Sequence, residues 1–147
     1  MPRTLISSGS YLEPEIGFSR AVRVGQFVAV ARTATPIAAA GGTAALGDVY
    51  GQTIRCLEII GKAVAEAGGT MANIIRTWIV LTDISTWRDA ARAHGEVFRD
   101  IRPACTFVDE SFCGCPLEER SVGTAAAAIC WSDSAPSHPR GRSSPAR

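Results

Sequence analysis

Residues 51–84 read GQTIRCLEIIGKAVAEAGGTMANIIRTWIVLTDI, a helix, its stop and a strand in that order. Counting from just before this stretch, Tyr50, Ile54, Leu57, Gly61, Val64 and Gly68 recur at spacings of three and four. That pattern predicts one face of a helix from about Asp48 to Ala67, with Ile60 widening the stripe. Gly61 costs ~1 kcal/mol against alanine inside a helix, so a close approach to a sheet is expected there. Gly68 or Gly69 ends the helix as its C-terminal glycine. Beyond it, Ile75, Thr77, Ile79 and Leu81 alternate with Ile74, Arg76, Trp78 and Val80. Both sets are largely apolar, which predicts an interior strand covered on both faces.

Working outward, RTLISS (3–8) and SRAVRVGQFVAVA (19–31) read as strands, with Gly25-Gln26 placed for a tight hairpin. Residues 33–47, rich in Gly, Ala, Thr and Pro, read as a loop. On the other side, DISTW (83–87) opens a second helix. Thr86 and Asp89 have capping-box spacing, and Trp87, Ala91, His94 and Phe98 form a stripe. ACTFVDE (104–110) and RSVGTAAAAICW (120–131) read as the last strands. The predicted order is β-β-β-α-β-α-β-β, an α+β arrangement with two helices on one face of a mixed sheet. The opposite face, with Trp78 and Val80, has no helix left to cover it, so another subunit is the simplest cover. Residues 1–131 are expected to form one domain, and the Ser-, Pro- and Arg-rich residues 132–147 a disordered tail.

Of the 147 residues, 46% are hydrophobic and 20% charged, which places the chain among globular proteins. A net charge of +1 gives no global attraction to nucleic acid or to an anionic membrane. No apolar run reaches the roughly 18 residues of a membrane span, and residues 1–10 lack the apolar core of a secretory signal. Five cysteines, an odd number, read as reduced thiols of a cytoplasmic protein.

No metal constellation and no cofactor fingerprint are visible. Cys113-Gly-Cys115 has the wrong spacing for a zinc knuckle and lacks a second pair. His94 falls on the helix stripe, where a packed core or interface histidine is the plainer reading. Asp109, Glu110, Glu118 and Glu119 cluster near the last strands; one could orient a water as general base, while solvated loop charges are the plainer reading.

Three stretches together, GFSRAVRVGQFVAVA (17–31), residues 51–84 and HGEVFRDIRPACTFV (94–108), resemble the Rid family (RidA/YjgF, also called L-PSP endoribonuclease-like) in order and spacing. The resemblance implies a chorismate-mutase-like fold and a homotrimer with a central barrel and three intersubunit clefts. It also implies hydrolysis of imines and enamines derived from amino acids. In the family an arginine follows Pro-Ala and grips the substrate carboxylate bidentately. Here Cys105 stands at that place, and a thiol cannot make the contact. Arg32, after Ala31, stands where the family carries a glycine whose amide faces the ligand, and could supply the missing charge. Phe18 matches the aromatic residue lining the cleft. The acid of the family's last strand has no clear counterpart: Thr124 is near its position and Glu119 lies upstream. The expected site is therefore Cys105 and Glu119 as catalytic candidates, with Phe18, Ala31, Arg32 and Thr124 around a small, carboxylate-bearing ligand. A hydrolase of altered specificity and a non-catalytic binding protein both fit. Endoribonuclease action fits less well, because no basic patch with interleaved aromatics is present.

Overall fold

The computed structural model describes residues 2–34, 47–110 and 124–131. They form a six-stranded sheet: β1 (Arg3–Ile6), β2 (Ala21–Val24), β3 (Phe27–Ala34), β4 (Ile74–Leu81), β5 (Ala104–Asp109) and β6 (Thr124–Trp131). The helices are α1 (Leu12–Ile16), α2 (Val49–Glu66) and α3 (Trp87–Phe98). Strand order is β1-β2-β3-β6-β4-β5, antiparallel throughout except for the parallel β4–β5 pair, which α3 connects. This is the expected α+β sheet with both long helices on one face. The addition is α1, five residues in a stretch with no long periodic signal.

The helix α2 begins where the Asp48 side chain accepts a 2.9 Å hydrogen bond from the Gly51 amide. A β-carbon at Gly51 would collide with that carboxylate, so this glycine lets the cap close. The helix ends at Gly68, whose φ of 83° is the left-handed conformation glycine tolerates. Cys56, Leu57, Ile60, Ala63 and Val64 bury against Ile6, Ala21, Val28, Val30 and Ile74. A smaller cluster under α3 joins Ile79, Leu81 and Ala90.

Four local expectations need correction. Gly61 does not face the sheet: its missing β-carbon makes room for Met71, whose Sδ would lie 3.3 Å away. The α3 stripe is rotated, with Ala90, Ala93 and Phe98 buried and Trp87 44% exposed, edge-on to Phe107. No capping box forms at Thr86, whose hydroxyl donates instead to the Asp83 carbonyl at 2.7 Å. In β4, Thr77, Ile79 and Leu81 do face the helices, but Ile74 joins them and Ile75 is exposed. Pairing with β6 shifts between Ile74 and Arg76. The extra residue of that bulge reverses the alternation.

The face away from the helices carries Leu5, Phe27, Ile75 and Val108, exposed by 62%, 53%, 51% and 37%, with Trp78 and Val80 half-buried between them. No helix among the described residues is long and apolar enough to cross a membrane.

Candidate functional site

Two of the expected ligand residues converge. The chain leaves α1 through Gly17, with φ 77°, and the amides of Gly17 and Phe18 both donate to the Glu13 carbonyl. This turn delivers Phe18 to the outer sheet face. There, with Leu5, Val22, Ala29 and Ala31, it lines a cavity of about 480 Å3. Ala31 is fixed by its amide, which donates to the Arg20 carbonyl at 2.9 Å. The Arg20 guanidinium lies 5.9 Å from the centre of the Phe18 ring, and its Nη1 donates to the Arg32 carbonyl and to Thr33 Oγ1.

Arg32 follows at a second bulge, where the β3–β6 register shifts between Val30 and Thr33. Its guanidinium is not free: Nη2 pairs with Glu110 Oε1. The Glu110 side chain is 5% exposed and that of Arg32 40%. Among the described residues the other Glu110 oxygen is buried with no hydrogen-bond donor. A ligand carboxylate at Arg32 would have to share the cation with this one.

Cys105 lies far from Phe18 along the sheet. It belongs to the edge strand β5, and three strand spacings of roughly 4.8 Å, about 14 Å in all, separate β5 from β3. Its register partner is Thr77, and it packs half-buried against the cluster of Ile79, Leu81 and Ala90. Thr77 Oγ1 in turn lies 3.0 Å from His94 Nε2. Burial holds the His94 imidazole below its usual range, which keeps it neutral at pH 7. Thr124 opens β6 opposite Leu81. Glu119, Cys113, Cys115 and the tail lie outside the described residues. Among the described residues no cluster of His, Cys, Asp and Glu could hold a metal ion.

The Arg32–Glu110 pair and the His94–Thr77 contact escaped the sequence reading. The first joins residues 78 positions apart, and only the carboxylate cluster near the last strands pointed toward it.

Glu13 organises the turn before Phe18. It accepts from Ser7 Oγ at 2.5 Å, the Ser8 amide at 2.7 Å and Ser8 Oγ at 2.6 Å. These bonds, the one from Ser7 foremost, hold its carboxyl at about 2 against an ordinary 4.5. A depressed carboxyl contributes stability that is fully present above pH 4.5 and is lost as pH falls toward about 2. Glu13→Gln is therefore expected to melt below the wild type at neutral pH. The two melting curves should converge as pH approaches about 2. A pH-independent difference in melting temperature would show that the carboxylate plays no such part.

Residues 9–111 match the family model described as Endoribonuclease L-PSP. An uncharacterised protein of Streptomyces coelicolor is 36% identical over 111 residues, covering 70% of this chain and 75% of its own. A RutC family protein of Pyrococcus abyssi is 28% identical over 76% of this chain and 87% of its own. Among solved structures, a Mycobacterium tuberculosis member of the YjgF/YER057c/UK114 family superposes with a TM-score of 0.73 at 35% identity, covering 88% of this chain and 99% of that one.

Proposed function

Because the chain belongs to the endoribonuclease L-PSP family, also called YjgF or Rid, we propose that it binds a small metabolite in clefts between the subunits of a homotrimer. The observation that carries this reading is the separation of its site residues. Phe18 and Ala31 line an open cavity at one end of the sheet, and Cys105 lies on the edge strand at the other. One chain cannot close a site from both, whereas two neighbouring copies can set one edge against the other. The exposed apolar outer face supplies the surface for such an assembly.

Within this cleft the usual carboxylate clamp is absent, and Arg32 is already paired with Glu110. Ordinary amino-acid-derived imines are therefore expected to be poor substrates. A hydrolytic reading has one contact in its favour: Thr77, the register partner of Cys105, meets His94 Nε2 at 3.0 Å.

The deciding measurement is hydrolysis of an α-imino acid generated in place by an amino-acid oxidase. Wild type should not exceed the buffer rate. Cys105→Arg should raise turnover at least about tenfold by restoring a cation worth more than 1.4 kcal/mol to the bound carboxylate. Fast wild-type turnover abolished by Cys105→Ser would replace the binding reading with a thiol hydrolase.

A further inference from the structure

A second cavity, of about 560 Å3, lies on the other side of the sheet from the Phe18 cavity. Its floor is apolar, with Ile6 and Ala63 buried and Leu12 and Ile59 beside them. Its rim is polar, and the sequence explains how. Arg55, Ile59, Lys62 and Glu66 fall at spacings of four, three and four, so α2 presents them as one stripe beside its buried one. Across from that stripe the turn after β1 contributes Ser10 and Tyr11, and Arg20 closes one end.

The charges at this rim are unbalanced. Of the lining side chains Arg20, Arg55 and Lys62 are basic and Glu66 is acidic, while Glu13, bonded to the lining Ser7 and Ser8, acts on Arg20 from beside the cavity. Arg55 is paired with Glu58 at 2.8 Å, whereas Lys62 has no ion pair among the described residues. Arg20 carries a sharper imbalance: its Nε is buried and has no hydrogen-bond acceptor. A buried donor without an acceptor costs free energy, and the planar guanidinium that carries it suits carboxylate and phosphate alike. The volume is that of a small-molecule site.

We propose that this helix-face cavity is a second ligand site, for a small anion with an apolar body whose charged head lies among Arg20, Arg55 and Lys62. The apolar portion rests on Ile59 and Leu12. The sheet stands between this cavity and the Phe18 cavity, although Arg20, which lines this one, lies 5.9 Å from the Phe18 ring that lines the other.

The test uses the full chain, titrated by calorimetry and by amide chemical shifts with 2-naphthoate, 2-naphthyl phosphate and the neutral 2-naphthylmethanol. At least one anion should bind, with shifts centred on residues 10–12 and 55–63. Lys62→Glu should weaken binding at least about tenfold, and raising salt from about 0.05 to about 0.5 M should weaken it further. Tighter binding of the phosphate marks a phosphomonoester site, and tighter binding of the naphthoate marks a carboxylate site. Four results would overturn the proposal: equal affinity for the alcohol, shifts centred on Phe18 and Ala31, wild-type affinity in both Lys62→Glu and Arg55→Glu, or no binding of either anion at millimolar concentration.

Discussion

Val80→Asp is expected to sediment as a folded monomer, and the wild type at about three times 15.5 kDa. Val80 sits on the outer face of β4 opposite Val108 of β5, flanked by Trp78. Within one chain Val80 is only half-buried and Val108 is 37% exposed. A carboxylate there can stay hydrated in an isolated subunit, so helix content by circular dichroism should persist. In a barrel of three sheets the same carboxylate would be repeated at each subunit, buried and without a partner, at a cost of several kcal/mol per charge. A wild type that sediments at one chain mass at every concentration would remove the intersubunit cleft altogether. An intact trimer in Val80→Asp would place the interface elsewhere on the chain.

Arg32→Ala should lose about 2–3 kcal/mol of stability in urea denaturation. Removing one partner from a fully buried ion pair typically costs about 3–5 kcal/mol, because the other charge is stranded. Arg32 is 40% exposed, so water can partly replace it beside Glu110, which moderates the loss. Combining Arg32→Ala with Glu110→Gln should recover most of the stability, since the stranded charge is gone. This separates two roles for Arg32. If it serves chiefly as a ligand clamp, the single variant binds carboxylates poorly but unfolds like the wild type. If it serves chiefly to neutralise Glu110, stability falls and the double variant restores it.

The elements that could be read from the chain were those with local causes. The 3.6-residue period of α2, the glycine that stops it, the Gly25-Gln26 hairpin and the alternation of β4 each depend on residues within one turn or one strand. The Thr86 capping box failed for a local reason, since its hydroxyl bonds back to Asp83, while two other misreadings came from partners outside the element itself. Ile75 is exposed because β6, some 50 residues later, pairs with β4 through a bulge, which no pattern within β4 records. Gly61 makes room for a methionine beyond the helix end and not for the sheet. For the site, the resemblance brought Phe18 and Ala31 to one cavity. It could not show that Arg32 is engaged by Glu110, nor that Cys105 sits on the opposite edge beside Thr77, which meets His94. Those facts depend on the strand order, and strand order is a property of the folded sheet.

That order also has a consequence in time. Among the described strands β6 is the last to be synthesised, lies between β3 and β4 and is the only one joining the two halves of the sheet. The first three strands are complete at Ala34, and β6 begins at Thr124, 90 residues later. At about 5–20 residues per second, the nascent N-terminal strands wait roughly 5–20 s with the open edge of β3 unpaired. Until then neither half-sheet has its neighbour, and the edge of β3 is a template for another nascent chain on the same messenger. Chaperone dependence during synthesis should therefore be set by translation speed between β3 and β6, more than by the stability of the finished protein.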